Sequence, residues 1–356
     1  MRSTPINTLL SCVLLLAFVN AVHSQSAKPV TLDFEKKIPE WLKETNVPAV
    51  GIGIIENGRL KYTRVFGELK KGDPGVAAPP NAIFQVASLT KPIVEVLTLQ
   101  LVTRGEWNLD EPLANYWVDP DIENDPRHKQ LTTRHVLTHQ SGFPNWRFLN
   151  ASNKLEFIAD PGTKVGYSGE GLEYLRRAIE KRFKQPLDQL ARKLLFQPYG
   201  MKDTRFFWDA SIQESRFAVP HNKDGKPLDI HKNTNSNAAD LLLTTVDDYG
   251  RFAVNVLKSR GLSPEVFAEM VRPQVKYPSG KNMFFGLGWM VMPDLSTGEY
   301  ALIHTGSDPG VNTVVILFPK SQRGLIVFTN GENGVQIWTR ILADAFDVGK
   351  EMLDRA

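Results

Sequence analysis

Cysteine is almost missing from this chain: among 356 residues there is one, Cys12. A single thiol excludes an internal disulfide framework and any cage of cysteine ligands for zinc or an iron–sulfur cluster. Charge of one sign is lacking as well. Forty-two basic against 39 acidic residues leave a formal charge of +3. With no basic run and no aromatic ladder, nothing argues for a nucleic-acid partner. No apolar run reaches the roughly 20 residues needed to cross a bilayer. The longest, Leu9–Val19, stands behind Arg2 and ahead of the small residues of "VHSQ". That pattern predicts a secretory signal peptide over residues 1–24, hence an exported protein, periplasmic or secreted, without stable membrane insertion once the signal is removed. Cys12 lies inside the run, and most of the apolar residues follow it, the wrong order for a lipid-anchoring cysteine. The mature chain would then carry no thiol.

What is present is material for a large core: 42% hydrophobic residues, 19 Phe and 7 Trp. Residues 34–42 carry Phe34, Ile38, Trp41 and Leu42 at helical spacing. "PAVGIGIIENGRLKYTRVFGEL" reads as a β-hairpin turning at Asn57-Gly58. The middle is mostly helical, including a short helix ending at Gly142 and two helices separated near Pro186. "EYALIHTG", "VNTVVILFP" and "GLIVFTNGE" read as three strands, and a helix closes the chain. Strands at both ends with helices between predict an α+β fold, an α/β sandwich. Its antiparallel sheet comes from both chain ends, flanked by helices and interrupted by a mostly helical insertion. The expected organisation is one domain over residues 30–350, with sheet parts near 30–105 and 275–350 and the insertion near 106–274.

The stretch "FQVASLTKPIVEVLTLQLV", Phe84–Val102, reads as a helix that is apolar almost all round. Ser88, Lys91, Glu95 and Thr98 form one narrow polar stripe along it. Pro92 lacks an N–H, which only a first helical turn gives up cheaply, so the helix starts close to Ser88. A serine there has an uncrowded hydroxyl and a backbone N–H free to bind an oxyanion. Serine needs a base to act as a nucleophile, and a desolvated lysine three residues on, facing the same way, can serve. The plain alternative is a solvated stripe with a Lys91–Glu95 ion pair. Ser-x-x-Lys alone is too common to decide between them.

Two further segments bear on the choice. Tyr167 lies in the Gly-rich "PGTKVGYSGEG" ahead of a helix. His304 lies in "IHTGSDPG" at the end of an apolar strand, where Gly306 would let a ligand approach the backbone. Taken in order, Ser88-Leu89-Thr90-Lys91, Tyr167-Ser168-Gly169 and His304-Thr305-Gly306 resemble the three-motif layout of the serine β-lactamase and penicillin-binding-protein superfamily. With "VLTHQSGFP" and "GLGW", the resemblance covers nearly the whole mature chain. It points to the branch of class C β-lactamases, D-aminopeptidases and β-lactamase-like esterases.

That resemblance implies catalysis without metal or cofactor. Ser88 would be the nucleophile, Lys91 the group that takes or relays its proton, and Tyr167 a second acid/base. Which of Lys91 and Tyr167 acts first is left open. His304, Thr305, Gly306 and Ser307 would border the substrate, with the N–H groups of Ser88 and Ser307 as an oxyanion hole. Gly169 stands where such enzymes often carry Asn, and His304 replaces Lys, so a permanent cation becomes a titrating one. Both departures fit an esterase, amidase or peptidase better than an efficient β-lactamase. The expectation is an exported serine hydrolase acting on a small-molecule or peptide substrate. The alternatives are a true β-lactamase or D,D-peptidase, or a non-enzymatic penicillin-binding sensor. His135 and His139, spaced like a zinc pair, lack the catalytic Glu expected after the first His, where Val136 stands.

Overall fold

The computed structural model describes residues 27–72 and 76–356. The expected signal peptide and Cys12 lie outside the described residues. In chain order the strands are β1 (Ala49–Glu56), β2 (Arg59–Gly67), β3 (Phe84–Gln85), β4 (Leu243–Thr244), β5 (Val275–Lys276), β6 (Phe284–Phe285), β7 (Met290–Met292), β8 (Ala301–Asp308), β9 (Val311–Phe318) and β10 (Arg323–Thr329). The helices are α1 (Ile38–Thr45), α2 (Thr90–Thr103), α3 (Thr133–Leu137), α4 (Gly169–Phe183), α5 (Leu187–Ala191), α6 (Gln197–Tyr199), α7 (Val246–Leu257), α8 (Pro264–Val271), α9 (Val335–Ala345) and α10 (Gly349–Arg355).

The main sheet runs β2-β1-β10-β9-β8-β7-β6-β5, antiparallel at each pairing. The N-terminal hairpin therefore joins the C-terminal strands through β1 and β10, with Val50 opposite Thr329. Its turn residues Asn57 and Gly58 have φ of 52° and 64°, the left-handed pair that matches strand twist.

Burial explains the pattern of β1, "AVGIGIIE". Val50, Ile52 and Ile54 enter the core shared with α1 and α9. Gly51 and Gly53 face α7, and a Cβ added at Gly51 would lie 2.5 Å from Val246 Cγ2. The missing side chains let α7 lie close on the sheet. With both faces covered, β1 is buried from Ala49 to Ile55, so its side chains read as a continuous apolar run instead of a polar alternation.

On the α7 face lies α2, buried at twelve positions from Thr90 to Leu101. An all-round apolar helix is a core helix, and its polar stripe is not a wet face. The helix expected to end at Gly142 stops earlier, at Leu137. His139 follows with φ of 54°, turning the chain away from a helical path. The last helix is also broken: α9 ends at Ala345 and α10 begins at Gly349. Among the described residues no helix is long and apolar enough to cross a membrane.

Gly51→Ala should cost about 1–3 kcal/mol of stability through overpacking. Urea melts will test this, and Val246→Ala in the same protein should restore most of the loss.

Candidate active site

The site starts from a strained turn. Ala87 has φ of 49°, a left-handed conformation that a non-glycine residue holds only under constraint. Here the constraint is visible. Thr313 Oγ1 donates to Val86 O at 2.9 Å, Thr90 Oγ1 to Ala87 O at 2.7 Å, and Tyr249 Oη to Leu89 O at 2.9 Å. Ser88 sits in the short 3-10 turn Ala87–Leu89 that precedes α2. It is half-buried, so its hydroxyl stays accessible. The first bond of the turn runs from Leu89 N to Val86 O at 3.1 Å, which leaves the Ser88 N–H ahead of the helical ladder.

Lys91, one turn on, is 1% exposed. Its Nζ lies 2.9 Å from Ser88 Oγ and 2.7 Å from the carbonyl oxygen of Ala239. The Tyr167 ring centroid lies 4.7 Å from the same nitrogen. Tyr167 itself is 39% exposed, so the phenol borders solvent while its ring covers the amine. The structure thus gathers Ser88, Lys91 and Tyr167 around one point. The solvated ion-pair alternative is excluded, because Glu95 is fully buried and neither of its carboxylate oxygens has a partner. Burial raises the Glu95 carboxyl well above the usual range despite the nearby Lys91.

The strand motif divides by alternation. His304 and Gly306 face the turn that carries Ser88. A Cβ at Gly306 would come within 2.5 Å of Val86 O and 3.2 Å of Ala87 Cβ. The missing side chain at Gly306 therefore admits the turn that carries Ser88. Thr305 lies on the opposite side and borders an apolar pocket with Trp338 and Met292. Alternation carries the Ser307 side chain to that side too, so both residues offer Ser88 backbone rather than side chain. The tight Pro309-Gly310 turn makes Asp308 and Val311 the closing hydrogen-bonded pair of the β8–β9 hairpin. Thr305 and Ser307 therefore turn their N–H groups to the other edge. There β7 pairs no further than Ile303, leaving that edge open beside Ser88.

His304 is 4% exposed, and its Nδ1 donates to Thr305 O at 3.0 Å. Burial, and then the charge of Lys91, push its pKa down to about 3. The expected titrating cation is thus a neutral imidazole across the physiological range.

Sequence reasoning missed three participants. His139 lies beneath Tyr167, its ring 4.4 Å from the phenol ring, with Ser168 N donating to its Nδ1 at 3.4 Å. Burial, then the charge of Lys91, keep it well below the ordinary histidine value. Its i, i+4 partner His135 instead closes the N-terminal cap of α3 with Thr132. Asp308 and Asp240 also lie near the site: burial, and then the Asp240 charge, push the Asp308 carboxyl up to about 8, against Lys91. Their signal was faint: Asp308 adjoins the motif, and Asp240 lies in an unpatterned stretch. At Gly169, a Cβ would strike the Trp146 ring at 2.7 Å. The indole therefore fills the space that a side chain there would need.

The turn that carries Ser88, backed by a buried lysine, is set between an antiparallel sheet and a helical layer. Residues 34–348 match the family model described as Beta-lactamase, and the chain belongs to that family. It is 32% identical over 209 residues to esterase EstB of Burkholderia gladioli, an alignment covering 51% of this chain and 51% of that protein. The chain thus spans about half the length of that relative. It is 23% identical over 361 residues to the D-alanyl-D-alanine-carboxypeptidase/endopeptidase AmpH of Escherichia coli (strain K12), covering 90% of each. Its fold matches the crystal structure of D-alanine carboxypeptidase AmpC from Burkholderia cenocepacia with a TM-score of 0.72 at 22% identity, covering 86% of this chain and 97% of that one.

Glu95 yields a stability prediction. A carboxyl whose folded pKa is raised keeps its proton while the unfolded chain releases it. Its stabilising contribution is therefore full below the unfolded value of 4.5 and declines as pH rises above it. Urea melts of wild type and Glu95→Gln across this range should show the wild type losing stability relative to the variant as pH rises. A pH-independent difference would refute a neutral buried carboxyl.

Proposed function

We propose that the protein is an exported serine hydrolase that works through an acyl-enzyme on Ser88 and prefers uncharged esters to substrates bearing a carboxylate. The observation that carries the mechanism is the 2.9 Å contact between Lys91 Nζ and Ser88 Oγ. In its neutral form the amine takes the hydroxyl proton as Oγ attacks the substrate carbonyl. The N–H groups of Ser88 and Ser307 receive the oxyanion. The Tyr167 hydroxyl, at the exposed side of the amine, passes a proton to the departing oxygen. Water then attacks the acyl carbonyl, gives its proton to the same relay, and Ser88 Oγ leaves to regenerate the hydroxyl.

The substrate preference follows from charge. A penicillin or a D-alanyl-D-alanine terminus presents a carboxylate, which needs a fixed cation to replace its water. His304, standing where the superfamily layout has Lys, is uncharged at neutral pH, as is His139. Lys91 is already engaged by Ser88 and Ala239. Asp240 stands nearby and would repel a second anion. The Asn amide that would hold an acylamino group is replaced by Gly169 with Trp146 packed over it. An indole wall favours an apolar acyl group instead.

A panel of p-nitrophenyl esters, D-amino-acid amides and nitrocefin tests this reading. Short-chain esters should show the highest kcat/KM and nitrocefin the lowest. Ser88→Ala should remove ester turnover by about a thousandfold or more while leaving the thermal melt in place. Wild-type rates in that variant would end the assignment. A mass shift on Ser88 that never decays after fluorophosphonate-free incubation with a substrate ester would mark a sensor instead of an enzyme.

A further inference from the structure

On the face of β8 opposite His304, the main sheet and the two C-terminal helices enclose a cavity of about 160 Å³. Its floor follows the strand pairing. Met290 on β7, Ile303 on β8 and Ile316 on β9 are successive partners, and Thr305 opposite Val314 forms a further row. Trp338 and Leu342 of α9, with Met352 and Leu353 of α10, close the cavity from the other side. The cover is set by Gly349. A Cβ there would lie 2.0 Å from Leu342 O, so the missing side chain lets α10 turn back against α9.

Protein cores are normally packed as densely as organic crystals. A gap of this size is therefore unusual in a layer whose Met292 and Val314 are fully buried. Apolar cavities of roughly 150 Å³ stay free of water and take up benzene-sized molecules. This one has a way in, because Thr305 and Ala356 on its border are exposed. Four of the protein's seven methionines, Met283, Met290, Met292 and Met352, line it. Methionine is flexible and polarizable, and its sulfur packs favourably against an aromatic ring. No Asp, Glu, Lys, Arg or His borders the cavity, so a charged ligand would lose its water without gaining a partner. The polar groups on the wall are the Thr305 and Tyr277 hydroxyls and the Trp338 indole N–H. The last already donates to Asn312 Oδ1 at 2.7 Å. We infer that the cavity is a binding site for a small uncharged aromatic molecule, a single ring with at most one short hydroxyl-bearing arm. It is separated from Ser88 by the sheet, since His304 and Gly306 face the other way, and it does not depend on the reading of Ser88 as nucleophile.

The test is a titration of the full chain, carrying 13C-labelled methionine methyl groups, with benzyl alcohol, toluene and benzoate, followed by NMR. The resonances of Met283, Met290, Met292 and Met352, assigned by single Met→Leu variants, should shift with one shared Kd for each neutral ligand. Met201 and Met270 belong to the core on the α2 side of the sheet and should stay in place. Benzoate, the same ring carrying a charge, should leave all six unmoved. Ser88→Ala should bind benzyl alcohol as wild type does. Thr305→Trp, which sets an indole at the mouth, should abolish the shifts, and Leu353→Trp does the same from the helical side if Thr305→Trp fails to fold. Unmoved cavity methionines at the solubility limit of both neutral ligands would overturn the site. So would equal shifts at Met201 and Met270, shifts that vanish in Ser88→Ala, or binding that survives the blocking variants. Benzoate binding as tightly as benzyl alcohol would overturn the assignment to uncharged ligands.

Discussion

A buried amine against a hydroxyl is the contact on which the rest of this molecule depends. Lys91 is 1% exposed yet lies within hydrogen-bond reach of Ser88. Burying an ammonium-bearing side chain is costly unless its donors find partners, and here the partners are few and specific: a serine oxygen, a backbone carbonyl and the face of a tyrosine. Keeping them in place explains features that otherwise look unrelated. Ala87 stays in a left-handed conformation because Thr313, Thr90 and Tyr249 tie down the three carbonyls around it. Gly306 lacks a side chain because the strand must pass against that turn. The helix α2 is buried almost all round, and that burial excludes water from the amine.

The same dryness shapes the electrostatics. Both imidazoles near Lys91 are driven to their neutral forms, chiefly by burial and then by the lysine's charge. Histidine in place of a fixed cation therefore removes a charge from the site altogether. Asp240 pushes in the same direction, because the charge it carries is negative. The proposed preference for a neutral acyl donor follows from that arrangement. The relatives of this chain include an esterase and a D-alanyl-D-alanine-carboxypeptidase/endopeptidase, and the proposed preference for esters rests on these local charges.

Much of the architecture was legible in the residues. The Asn57-Gly58 hairpin, the three C-terminal strands and the all-apolar α2 follow from local pattern, because turn chemistry and hydrophobic period act over a few residues. Motif order also singled out Ser88, Lys91 and Tyr167, which the fold brings together. What pattern misplaced were ends and faces. The helix before Gly142 stops at Leu137, since His139 is pulled under Tyr167 by contacts from distant segments. The stripe on α2 looked wet because periodicity records polarity and not exposure; Glu95 is buried without a partner.

By itself, then, the sequence determined the strand-and-helix order, the position of Ser88 at the start of a core helix, and the histidine that stands in the third motif. These are properties of neighbouring residues, governed by sterics and local hydrogen bonding. Only the tertiary structure decided that Lys91 is dry, that His304 is neutral and that Gly306 admits the turn carrying Ser88. Each of these depends on segments far apart in the chain, and on a local dielectric that exists only once the sheet and helices have closed over one another.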